Sequence, residues 1–213
     1  MTLDVFADLA CPWCYIGDAR LQRALDARPH LQVERRWRPF QLQPDLPPWQ
    51  PWQAFAARKF GSAERARALF ATVTEIGRRE GLTFAFDAMP TAPNTADAHR
   101  LVLLGEAHGR AFETARAFFR GYFAEGRNLN DPADLVALAE AAGLPGAEAR
   151  EVLAGDRFRD RVEKSQQAAR RLGFAGVPFY VFDRQYTLSG AQPTEVFVEQ
   201  LDRMATAGME EPG

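Results

Sequence analysis

The sequence predicts an α/β protein in which strands from both ends of the chain share one sheet and a large all-helical block is inserted between them. Three observations predict it. Residues 3–37 read as strand, helix, strand; residues 177–205 read as two strands and a helix; the long middle carries helical periodicity almost throughout. This divides the chain into one domain of residues 1–40 plus 174–213 and a helical insertion of residues 41–173.

"LDVFAD" (3–8) is a short run with strand character, and the Pro12 that follows suits a first helical turn, where a missing N–H costs nothing. The helix runs from about Cys11 to Arg28, and Pro29 stops it. "LQVERRW" (31–37) sets Leu31, Val33 and Trp37 against Gln32, Glu34, Arg36 and Arg38, a second strand ended by Pro39. Residues 39–52 hold five prolines in fourteen positions, which excludes helix and central strand and reads as a semi-rigid connection. Helices follow. Ser62 caps one whose apolar stripe is Leu69, Phe70, Val73 and Ile76, with Gly81 at its end. The next starts at an Asn94/Thr95 cap, another packs Phe112, Phe119 and Phe123 at helical spacings, and a third runs from an Asp131 cap through Pro132 to Gly143. A short helix at 146–154 precedes a longer one near 156–172, closed by Gly173. Finally "VPFYVF" and "YTLSG" flank the turn Asp183-Arg184 as a hairpin, and a last helix from Pro193 turns Val196, Phe197 and Leu201 inward.

At 213 residues and 46% hydrophobic content the chain can bury a core without a disulfide framework. A formal net charge of −2 excludes a global attraction to nucleic acid, and the arginine-rich "VERRWR" reads as the solvated face of a strand. The first residues lack the charged start, apolar run and cleavage site of a signal peptide, and no stretch approaches the ~20 apolar residues that cross a bilayer. The expectation is a cytoplasmic protein, monomer or homodimer, with no membrane or nucleic-acid partner.

Both cysteines lie in "DLACPWCYIGDARL", on either side of Pro12 and Trp13. Cys11 falls at the start of a helix, where unpaired N–H groups and the macrodipole stabilise an anion, so its thiol is expected to ionise below the usual value and act as nucleophile. Cys14, nearly one turn on, is placed to resolve a mixed disulfide. Two buried, inert cysteines remain an alternative. A zinc site wants four ligands, and His30, His99 and His108 are scattered, so no metal is expected. In "GFAGVPFYVF", Pro178 opens a strand: a cis Val177-Pro178 bond would turn the Val177 backbone toward an extended substrate, whereas an ordinary trans bond is the commoner form. Asn94, Thr95 and His99 read either as a cap plus a surface histidine or as an active-site helix end. Gly190, Ala191 and Gln192 read either as a plain loop or as an anion or peptide contact.

"DLACPWCYIG", "PNTADAHRL" and "GVPFYVFDRQYTLSGAQP", with the helical insertion, resemble the FrnE-like branch of the DsbA family of thioredoxin-fold thiol-disulfide oxidoreductases over nearly the whole chain. The resemblance implies a thioredoxin-like fold, Cys11 as nucleophile, Cys14 as resolving thiol and Pro178 as a cis proline preceded by Val177. It turns Asn94 and His99 toward the substrate, Asn94 donating to a substrate amide and His99 forming a polar wall; Trp13 and Gln192 are further candidate substrate contacts. The insertion would cap the site. Trp13 stands where some relatives carry histidine, so a weaker oxidant is expected. Members often have further cysteines near the C-terminus; this chain has none, and no function needing a second redox pair is expected. The implied activity is disulfide exchange with protein or small-molecule thiols, protein disulfide isomerisation included. It needs no cofactor beyond the Cys11–Cys14 pair, with glutathione as an optional co-substrate. One rival is a glutathione-dependent transferase or isomerase of the kappa or 2-hydroxychromene-2-carboxylate isomerase type, in which serine typically replaces the first cysteine. The other is a non-catalytic binding module using the groove of the insertion.

Overall fold

The computed structural model describes residues 1–47 and 49–207; Pro48, one of the five prolines of the connection, and residues 208–213 at the end of the first domain lie outside the described residues. A four-stranded sheet is drawn from both ends of the chain. β1 (Thr2–Ala7) runs parallel to β2 (Glu34–Pro39), with Thr2 opposite Glu34 and Ala7 opposite Pro39, and antiparallel to β5 (Phe179–Phe182), with Leu3 opposite Phe182. β6 (Tyr186–Ser189) completes the order β2-β1-β5-β6. A parallel neighbour requires a crossover, and α1 (Pro12–Asp26) supplies it.

Alternation along β1 sends Leu3 and Val5 into the main core with Trp37, Leu21, Phe197 and Leu201, while Phe6 points the other way into a second cluster with Phe40, Ala169 and Val181. The sheet is thus covered on both faces. α9 (Thr194–Ala207) packs beside α1, and α8 (Arg159–Arg171) brings Ala169 to the opposite face. α8 falls within the stretch assigned to the insertion, yet it touches β2 as well as α4 (Ala96–Ala107).

Between them run a two-residue ladder of β3 (Gln50–Pro51) and β4 (Thr91–Ala92), then α2 (Trp52–Phe60), α3 (Ala63–Arg79), α5 (Ala111–Phe123), α6 (Pro132–Ala141) and α7 (Gly146–Ala154). Local signals fix several ends: the Ser62 hydroxyl accepts from the Arg65 N–H at 3.1 Å, and the Asp131 carboxylate from the Ala133 N–H at 2.8 Å. Aromatic packing joins the insertion to α1. Tyr15 stacks on Phe119 with ring centroids 5.2 Å apart, and Phe70 stacks on Phe86 at 4.4 Å; each such pair adds about 0.5–1.5 kcal/mol beyond area burial. Among the described residues no helix is long and apolar enough to cross a membrane.

Four details depart from the sequence-based expectations. β2 starts at Glu34, not Leu31, because β1 begins at Thr2 and leaves earlier residues no partner. Leu69 is 49% exposed instead of lying in the core stripe. The hairpin loop includes Gln185, since Phe182 pairs with Tyr186; Asp183 holds a φ of 44° and its carboxylate accepts from the Thr2 N–H at 2.6 Å. Helix α2, which the proline-rich surroundings obscured, buries Trp52, Phe55 and Ala56 at i, i+3 and i+4.

Candidate functional site

β1 turns almost directly into α1. The Cys11 N–H bonds the Asp8 carbonyl at 3.0 Å, and the Cys11 carbonyl accepts from the N–H groups of Cys14 at 3.0 Å and Tyr15 at 3.3 Å. Cys11 is therefore the N-cap, in extended conformation at φ −99° and ψ 112°, with Pro12 in the first helical turn. Both cysteines are free thiols, buried at 4% and 2% exposure. Cys11 Sγ donates toward the Val177 carbonyl at 3.5 Å. Burial, then the hydrogen bond to Cys11 and its charge, push the Cys14 thiol well above its ordinary value of 9.0; a 3.5 Å hydrogen bond from the Asp8 N–H to Cys14 Sγ pulls the other way.

The Val177–Pro178 peptide bond is cis. Its proline lies against α1 at Gly17, where a Cβ would stand 3.1 Å from Pro178 Cγ and would clash with the Tyr180 hydroxyl. The glycine of "CPWCYIG" therefore lets the helix and the proline strand approach closely.

On another side of Cys11 opens a cavity of about 280 Å³ between the start of α1 and the insertion. Trp13, 39% exposed, stands at its rim; Trp52, Phe55, Phe70 and Phe86 supply aromatic walls. Lys59 is the one charged side chain that lines it among the described residues. Cys11 joins the two halves of the site, lining the cavity and reaching Val177.

Three residues expected at the substrate are placed elsewhere. His99 is neither a surface residue nor a substrate wall: it is fully buried, Nδ1 accepting from Trp37 Nε1 at 3.2 Å and Nε2 donating to the Phe40 carbonyl at 3.1 Å, which occupies both nitrogens. Asn94 spends its amide inside the protein. Its Nδ2 donates to the Pro44 carbonyl at 2.9 Å, and its Oδ1 accepts from Gln41 Nε2 at 3.0 Å and the Ala96 N–H at 3.1 Å, so it pins the connection to the start of α4. Gln192 donates to the Ser189 carbonyl at 2.7 Å and does not line the cavity. His99 and Asn94 are held by partners distant in sequence, Gln192 by its own turn.

One residue escaped the sequence reading. Asp8, 1% exposed, accepts from the Leu42 N–H at 2.7 Å and the Ala10 N–H at 3.2 Å, with His99 Nε2 3.6 Å away. An acid directly after the strand, three residues before Cys11, was the available signal. It ties the dithiol turn to the connection. Among the described residues no group of three His, Cys, Asp or Glu side chains is placed to hold a metal.

The DSBA-like thioredoxin domain pattern matches residues 2–202. The chain is similar to a probable DsbA oxidoreductase from Streptomyces coelicolor, at 39% identity over 100% of this chain and 92% of that one, with a TM-score of 0.90. The cytosolic disulfide reductase DsbM from Pseudomonas aeruginosa shares the fold at 23% identity and a TM-score of 0.65, over 99% of this chain and 98% of its own. A 2-hydroxychromene-2-carboxylate isomerase shares it at 15% identity and 0.73, over the full length of both. No curated protein sequence matches. A cap-position cysteine, its partner one turn on and a facing cis proline thus come with a family pattern that spans nearly every residue: the chain belongs to the DsbA-like thioredoxin-domain family.

Proposed function

We propose that this protein is a thiol-disulfide oxidoreductase working through a mixed disulfide at Cys11 that Cys14 resolves. The observation that carries this is the asymmetry of the pair: Cys11 lines the cavity, whereas Cys14 lies beneath it with its thiol pushed well up by burial. Cys14 therefore keeps its proton at neutral pH, and Cys11 is the sulfur a substrate meets first. Cys11 gives up its proton and attacks a substrate disulfide; the Cys11–substrate S–S bond forms, the substrate S–S bond breaks, and one half leaves as a thiolate. Cys14 then loses its proton and attacks Cys11 Sγ, releasing the second half. Two electrons pass from the dithiol to the substrate. The same positions serve the reverse direction, in which a substrate dithiol is oxidised.

The Val177 backbone is the proposed docking edge for an extended substrate, its carbonyl already facing Cys11 at 3.5 Å. The cytoplasm, where thiols are held reduced, is the proposed compartment. The test is trapping. Cys14→Ser is expected to accumulate mixed disulfides that vanish on reduction, and Cys11→Ser to form none and lose disulfide exchange. No adduct on Cys14→Ser, together with undiminished exchange by Cys11→Ser, would overturn the assignment. Full turnover of a glutathione acceptor by Cys14→Ser would favour the glutathione-transferase alternative.

A further inference from the structure

We infer that the cavity beside Cys11 selects disulfides whose halves are aromatic rings bearing a carboxylate, the ring entering the cavity and the carboxylate meeting Lys59. This rests on the dithiol chemistry proposed above and names its substrate class. Small-molecule pockets span roughly 300–1,000 Å³, so a space of about 280 Å³ is sized for one ring system. Its walls are apolar. Trp52, Phe55, Phe70 and Phe86 line it with aromatic carbon, and Gln43 and Thr72 are the uncharged polar side chains among the lining residues. A tripeptide thiol would bring peptide groups into a wall with few partners for them, at a desolvation penalty. An aromatic ring brings none.

Charge makes the second distinction. Lys59 Nζ stands 5.4 Å from the Phe55 ring centroid. The chain's other lysine, Lys164, faces Asp160 at 3.6 Å, whereas Lys59 has no carboxylate partner among the described residues. An unpaired cation beside an apolar hollow complements an anionic group on an apolar body. In the reaction, Cys11 attacks one sulfur of the aryl disulfide, that aryl half stays on Cys11 with its ring in the cavity, and the other half departs as an aryl thiolate. Cys14 then displaces the bound half, giving its proton to solvent. The protein dithiol supplies the two electrons.

The experiment uses the full-length, pre-reduced protein in single turnovers with four disulfides: dithiobis(nitrobenzoate), aromatic and anionic; dithiodipyridine, aromatic without a carboxylate; hydroxyethyl disulfide, aliphatic and neutral; and glutathione disulfide. Lys59→Glu is expected to lower the rate ratio of dithiobis(nitrobenzoate) to dithiodipyridine by roughly tenfold. Val73→Trp, which fills the cavity, is expected to lower the ratio of both aromatic disulfides to hydroxyethyl disulfide by about tenfold or more. Leu69→Trp at the exposed rim substitutes if that core variant does not fold, as judged by circular dichroism. Unchanged ratios in the folded variants, or a preference of the wild type for glutathione disulfide, would overturn the inference while leaving the dithiol chemistry intact. Reaction with none of the four would instead overturn the dithiol chemistry, and the inference with it.

Discussion

At the scale of single residues, the site is governed by two buried acids of different kinds, the Asp8 carboxylate and the Cys14 thiol. Asp8 satisfies two backbone donors, from Ala10 and Leu42, where water has little access. Asp8→Ala orphans both, and the expected cost is about 1–3 kcal/mol of folding stability, read from the urea midpoint at constant slope. Asp8→Asn retains one acceptor oxygen and is expected to cost less. Cys14, Tyr122 and Tyr180 are each held above their ordinary values, chiefly by burial. The folded chain therefore keeps protons that the unfolded chain releases. Their contribution is complete below the unfolded values of 9.0 and 10.0 and is lost as pH rises toward the folded ones. The reduced protein is expected to show a melting temperature that declines above pH 9.0, with Cys14→Ser removing the earliest part of the decline.

At the scale of elements, α1 with its N-cap carries both cysteines and a close approach to the proline strand. Gly17→Ala presses a methyl group onto Pro178 and the Tyr180 hydroxyl, and the expected cost is about 1–3 kcal/mol. Tyr180→Phe, by removing that hydroxyl, is expected to recover part of the loss in a double-mutant cycle of denaturation midpoints. What the sequence disclosed about elements was what neighbouring residues decide: the caps at Ser62 and Asp131, the helix opening on Pro12, the strand that alternates around Trp37. What it withheld was decided by distant partners. Leu31 and Val33 continue the alternation of β2, yet pairing starts where Thr2 supplies a partner. His99 looked available until Trp37 and Phe40 claimed its two nitrogens. The cysteines and their strand-to-helix junction were legible because their chemistry is local, and the cavity was not, because it is built from α1, the connection, α2 and α3 together.

At the scale of the molecule, the insertion is fastened to the helix that bears the cysteines. Asp18 pairs with Arg116 at 2.6 Å and Arg20 with Glu80 at 2.6 Å, both partly shielded from water, and Tyr15 adds its stack on Phe119. The sheet itself joins the two ends of the chain, since β1 lies between β2 and β5. A chain ending at residue 173 lacks β5, β6 and α9 and leaves one edge of β1 unpaired. It is expected to lose cooperative thermal unfolding and to bind a hydrophobic dye, and a sharp native-like transition would contradict this. The same strand order has a temporal side. A ribosome delivers Cys11 early and the Val177 carbonyl that faces it only when most of the polypeptide has been made. Throughout that interval the Cys11 sulfur of the nascent chain is open to exchange with any passing disulfide, and the late-arriving strand is what narrows its exposure.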